Sequence, residues 1–139
     1  MIDSTGVIGT LAYAGVGLTL LTLGYVVLDL ITPGNLRHLV FADRNVNAAV
    51  VAAGNALALA AIVTTAILES DDVLVVGLVQ ATVYGLLGIA LQAVAFKILD
   101  LVTPGHLGHI VTDPRPDPAS GVVAVFTLAM GAVLSAAIT

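Results

Sequence analysis

The stretch LDLITPGNL, Leu28 to Leu36, returns as LDLVTPGHL, Leu99 to Leu107. The offset is 71 residues, and sliding the chain on itself by that offset without a gap also superposes Gly6 on Gly77, Tyr13 on Tyr84, Gly17 on Gly88, His38 on His109 and Arg44 on Arg115. Roughly a third of the paired positions are identical, which marks a duplicated unit. The two units run from about 1 to 72 and from 73 to 139.

Composition sets the class of each unit. With 59% hydrophobic residues, 9% charged and a mean hydropathy of +1.12, the chain is not a soluble domain, in which about a quarter of residues carry charge. Between the charges lie four apolar stretches, near 6–31, 46–68, 73–102 and 120–138. At about 1.5 Å per helical residue each can cross a hydrocarbon core of about 30 Å. Alanine, leucine and glycine dominate and no dyad alternation appears, which disfavours a membrane β-barrel. The sequence predicts an all-α integral membrane protein of four transmembrane helices, arranged as two tandem two-helix repeats. An even number of spans per repeat gives both halves the same orientation, related by a pseudo-two-fold axis along the membrane normal.

Charge supplies the orientation. Arg37, Arg44, Lys97 and Arg115 all lie in or beside the segments 32–45 and 103–118 that follow the repeated motif. The positive-inside rule places those loops in the cytoplasm and both termini outside. The first stretch is too long for a cleaved export signal and is preceded by no basic residue. Without cysteine there is no disulfide, thiolate metal site or thiol nucleophile. The net charge of −5 gives no basic footprint for nucleic acid.

Within the motif, Pro33 and Pro104 lack the N–H that would continue a helix and restrict the residue before them, so the first helix of each repeat should stop at Thr32 and Thr103. Gly34 and Gly105 then permit a sharp turn. Asp29 and Asp100 fall in the last helical turn, facing the negative end of the dipole at the membrane boundary. Each carboxylate therefore needs compensation. They could form a cation or proton site, or accept hydrogen bonds from the Pro-Gly turn and pin the hairpin. The helix faces leading away from them carry no continuous polar track, which favours the pinning role. Lys97, whose repeat partner is Val26, is within reach of Asp100 three residues on and could pair with it or extend its ammonium to the headgroups. His106 and His109 are weak candidates for a metal site, since they are read as loop residues and the first repeat offers only Asn35 and His38. No cofactor is expected. No nucleophile with an adjacent base is evident, so no enzyme activity is expected.

Inside the spans, Asn55, Gln80 and Gln92 read as interhelical hydrogen-bonding residues, with a lining for water as the alternative. Ala49, Ala53 and Gly54, then Ala52, Ala56 and Ala60, and Gly131 with Ser135 form small-residue stripes that allow close packing within or between chains. The proline-rich DPRPDP at 113–118 reads as a stiff extended loop.

A duplicated pair of spans, each with LDLxTPGxL at one hairpin, resembles the YjfL-like family of small bacterial inner-membrane proteins, known as domain of unknown function 350 and similar to the UPF0719 group. The resemblance covers the whole chain. It implies importance for Asp29, Thr32, Pro33, Gly34, Asp100, Thr103, Pro104 and Gly105, an envelope context with a membrane-stress partner protein, and a bacterial or archaeal cytoplasmic membrane. It transfers no catalytic residue. The expected role is a homo-oligomeric structural or accessory component presenting its Pro-Gly loops to a cytoplasmic partner; the alternative is an ion or proton pathway using Asp29 and Asp100. The topology is directly measurable: Asp113→Cys should react with a membrane-impermeant thiol reagent only after cells are permeabilised, and labelling of intact cells would invert the orientation.

Overall fold

Each apolar stretch is long enough to satisfy its own backbone in hydrocarbon only as a helix. The computed structural model, which describes residues 4–31, 36–102 and 106–139 without the side chains of 4, 5, 36, 37 and 106–108, has the helices α1 (Ser4–Ile31), α2 (Leu36–Phe41), α3 (Val46–Leu68), α4 (Leu74–Val102), α5 (His106–Thr112) and α6 (Pro118–Ile138). Among the described residues, four stretches are long and apolar enough to cross a membrane: Gly6–Ile31, Val46–Leu68, Leu74–Val102 and Pro118–Ile138. They match the sequence expectation to within two residues. The shifts have local causes. Asp71 Oδ1 accepts from Val73 N at 2.9 Å, forming a turn that delays α4 to Leu74. Asp117 caps α6 by accepting from Ala119 N at 2.9 Å, so Pro118 becomes its first residue, a position where no N–H is required.

The segments after the motif are not plain loops. Each folds into a short helix, α2 or α5, before the next span begins. Their apolar residues explain this: Ile110 and Val111 of α5 are buried in the core, and Leu39 and Val40 of α2 pack against it. His106 and His109, expected in a loop, thus belong to α5.

Helix α3 is the hub. It packs most extensively on α6 and also against α1 and α4, and half of its membrane stretch is buried against 17% for α6. The α3–α6 contact depends on glycine. A Cβ on Gly54 would stand 2.7 Å from the Ala124 carbonyl oxygen, and one on Gly131 would stand 2.6 Å from Ala58 Cβ. The small-residue stripes are therefore used, at least in part, inside one chain.

These contacts also give direction and register. Gly54 meets Ala124 and Ala58 meets Gly131, so α3 and α6 run the same way, offset close to the repeat length. Helices α1 and α4 are also co-directional, but Leu20 meets Gly85 and Ile89 meets Gly24, an offset of 65 residues in place of 71. Six residues correspond to about 9 Å along the helix. Helix α4 is slid by that amount from an exact 71-residue correspondence with α1, and α4 packs on both α3 and α6 while α1 has no comparable contact with α6 among the described residues.

The tight crossing yields a paired prediction. Gly54→Ala forces a methyl into the Ala124 backbone and should destabilise the bundle by about 1–3 kcal/mol. Gly121→Ala, whose added carbon meets open space, should leave stability unchanged or slightly raised. Unfolding in mild detergent with increasing dodecyl sulfate measures both.

Candidate functional site

The motif end of the bundle gathers most of the sequence candidates. Asp29, in the last turn of α1, is buried, with 4% of its surface exposed. Asp100, its repeat partner on α4, is only half-buried. The stagger accounts for the difference: extending the Leu20–Gly85 and Gly24–Ile89 register puts Asp29 level with Val94, so Asp100 lies about 9 Å nearer the motif-side surface. The repeated motif thus carries the same residue to two depths. Thr32, Pro33, Gly34, Thr103, Pro104 and Gly105 lie outside the described residues.

Lys97 is exposed on α4. Among the described residues it forms no ion pair with Asp100. An unanticipated pair does form in the first repeat, where His38 Nδ1 stands 3.4 Å from Asp43 Oδ2, both well exposed. The second repeat has Pro114 where Asp43 stands, so this pair is not duplicated. His109 is exposed; the side chain of His106 lies outside the described residues, among which no group of three metal-ligating side chains occurs. Between α2 and α3 the chain turns through Arg44, whose φ of 53° is left-handed.

The best-defined feature of this end was not anticipated. Asn45 caps α3, its Oδ1 accepting from Ala48 N at 3.0 Å, while its Nδ2 donates to the Asp113 carbonyl at 3.0 Å. Asn47 Nδ2 donates to the carbonyls of Asp113 at 3.2 Å and Arg115 at 2.8 Å, and its Oδ1 accepts from Asp117 N at 2.8 Å. Both asparagines are buried. Their four bonds tie the start of α3 to the segment 113–117 that leads into α6, which Asp113 Oδ1 further shapes by accepting from Arg115 N at 2.9 Å. The DPRPDP segment is thus a clasped ligand of two side chains and not a free spacer. Asn45 just before an apolar run was a readable cap signal. Asn47 was not, because its partners lie 66 to 70 residues away.

At the other end, Ser70 Oγ donates to Tyr13 Oη at 3.1 Å and Gln80 Oε1 accepts from Asp71 N at 2.7 Å. Gln80 therefore secures the turn between α3 and α4 and does not bridge two spans, as expected of it from sequence. Gln92 does bridge: its Nε2 donates to the Thr127 carbonyl of α6 at 3.2 Å. Asn55, also fully buried, has no hydrogen-bond partner among the described residues. Thr10, Thr19, Thr22, Thr65, Thr82 and Thr127 each donate to the carbonyl four residues back, so they add no polar track between helices. The grooves flanking α1 are apolar, one lined by Gly17, Leu21, Val63 and Ile67, the other by Gly15, Val16, Thr19 and Leu86.

Comparison with known proteins agrees with this architecture. The family model described as Domain of Unknown Function (DUF350) matches residues 1–138. The chain belongs to that family. It is 42% identical over 134 residues to a UPF0719 transmembrane protein of Mycolicibacterium paratuberculosis, covering 96% of this chain and 89% of the relative. UPF0719 transmembrane proteins of Mycobacterium bovis and Mycobacterium tuberculosis match at the same identity, with 88% of each relative covered. No solved structure matches. Four apolar helices and relatives named as transmembrane proteins make this DUF350 member a multi-pass membrane protein.

The clasp makes a clear prediction. Asn47→Ala removes three hydrogen bonds at a buried position, at about 1 kcal/mol each, and should destabilise the protein by about 2–4 kcal/mol in a detergent unfolding titration. It should also speed hydrogen exchange at the Asp117 amide, which loses its acceptor; a variant as stable and as protected at that amide as the original would show that the segment 113–117 is held by other contacts.

Proposed function

We propose that the protein is a non-enzymatic accessory component of a cytoplasmic membrane, a homo-oligomer that presents its motif end to a cytoplasmic partner. The observation that carries this reading is the Asn45–Asn47 clasp together with the packing of α2 on α5. Through them the segments following both copies of the motif form one body. That body includes the exposed His38, Asp43, Arg44, His109 and Arg115, a mixed-charge surface of the kind that selects a protein partner by electrostatic complementarity. The basic residues orient it inward, and the two halves insert with the same sense. Self-association is supported by α1, where Gly15 faces open space beside an apolar groove; such a surface lets a second helix approach closely.

The second reading, an ion or proton pathway, is favoured by one observation, the burial of Asp29 in a spanning helix. The unequal depths of Asp29 and Asp100 weigh against a shared two-carboxylate site. Two measurements decide. Native mass spectrometry from mild detergent should give multiples of the 14.0 kDa chain, and a monomer unaffected by added lipid would remove the oligomer. In vesicles with an imposed proton or monovalent-cation gradient, neither the original protein nor the Asp29→Asn, Asp100→Asn double variant should conduct. A flux abolished in a folded double variant would replace the accessory reading with the pathway.

A further inference from the structure

Three side-chain atoms in the bundle interior have no protein partner among the described residues: Asn55 Oδ1, Asn55 Nδ2 and Gln92 Oε1. Both residues are at least nine-tenths buried, at 1% and 0% exposure. Helix periodicity places them on facing stripes. Asn55 lies seven residues before Ile62 on α3, and Gln92 four residues after Gly88 on α4, while Ile62 packs directly on Gly88. Both are therefore on the motif side of that contact, about 10 and 6 Å from it along their helices. The two helix levels thus differ by only about 4 Å, yet neither amide bonds the other, which leaves their free atoms to a third partner. Helix α6 closes the site: Thr127, buried and bonded to Gln92 Nε2, lies between Ala124 and Gly131, which meet α3 at Gly54 and Ala58 on either side of Asn55.

We infer that Asn55 and Gln92 form an internal water-binding site at the junction of α3, α4 and α6. The chemistry of the orphaned atoms selects the ligand. Gln92 is oriented by its bond to the Thr127 carbonyl, which requires the amide nitrogen there and leaves Oε1 as an acceptor. Asn55 presents one acceptor and a donor. The occupant must therefore both donate and accept, as water does, and buried waters typically make about three hydrogen bonds. A bare monovalent cation would leave Asn55 Nδ2 unpaired and facing positive charge, with too few oxygens to replace its hydration shell. The site lies at the depth of Asp29, since Gly24 is level with Leu59, five and four residues from Asp29 and Asn55. It fixes the register of three helices by a polar contact that no apolar stripe specifies.

Water-edited solid-state NMR of the full-length protein in lipid bilayers tests the site, with selective amide-nitrogen labelling that leaves two glutamine signals, Gln80 and Gln92, and four asparagine signals. Gln80, at the α3–α4 turn, is the hydrated control. The expected result is transfer from water to the side chains of Asn55 and Gln92, with the Gln92 transfer lost in Asn55→Leu. Absence of water transfer to either residue, or a direct Asn55–Gln92 correlation in its place, would overturn the proposal. A change in either signal on replacing sodium by potassium would also overturn it, in favour of a cation. If Asn55→Leu does not fold, the measurement on the original protein decides alone.

Discussion

The approach of α3 to α6 through Gly54 and Gly131 is the contact on which the rest of the bundle depends. In hydrocarbon, apolar side chains gain nothing by leaving lipid for protein, so helix association rests on close packing and on polar contacts between spans. Both glycines place a helix backbone where a Cβ would collide with Ala124 or Ala58, and the resulting surface-to-surface contact makes α3 the most buried span. Once α3 and α6 are joined, α1 and α4 have fixed seats: Leu59 reaches Gly24 of α1, and Ile62 reaches Gly88 of α4. The asparagine clasp at the motif end extends the same pair beyond the spans, tying the start of α3 to the start of α6.

That arrangement also sorts the polar groups. Threonine hydroxyls such as those of Thr19, Thr65 and Thr127 turn back on their own helices, which satisfies them without binding a neighbour. Two amides, Asn55 and Gln92, are exceptions, and they sit where three helices meet. A buried amide left unpaired is costly in a medium without water, whereas one that is fully paired discriminates a single register. Gly54, directly before Asn55, permits the close packing that then buries the amide.

Much of the fold was legible because it rests on properties that sequence carries locally. Length and hydropathy determine a span residue by residue, and the four spans emerged at nearly their final limits. The recurrence of LDLxTPG at an offset of 71 residues is a property of the sequence alone, and identity at a constant offset needs no knowledge of contacts. What escaped has one physical character: it depends on which distant residues meet. Helices α2 and α5 are too short to announce themselves by periodicity and exist because Ile110, Val111, Leu39 and Val40 find the core. Asn47 reads as an ordinary polar residue until Asp113, Arg115 and Asp117 are brought to it. Gln80 and Gln92 are the same residue type in similar surroundings along the chain, yet one binds a turn and the other a neighbouring span.

The stagger between α1 and α4 explains the conspicuous break in the repeat. Lys97 stands where the first unit has Val26, three residues before the motif aspartate. If the two units were placed symmetrically, that lysine would lie at the depth of Val26, beside the buried last turn of α1, with only the motif aspartates as counter-charges in an apolar setting. Because α4 is displaced by about six residues, or about 9 Å, Lys97 comes level with the residue after Ile31, past the described end of α1. There its stem can lie along apolar surface while the charge reaches the headgroups, in keeping with its exposure. The same displacement buries Asp29 and leaves Asp100 half-exposed. Two nearly identical sequences thus occupy different surroundings, and the charge that replaces valine stands on the helix whose motif end is the more exposed.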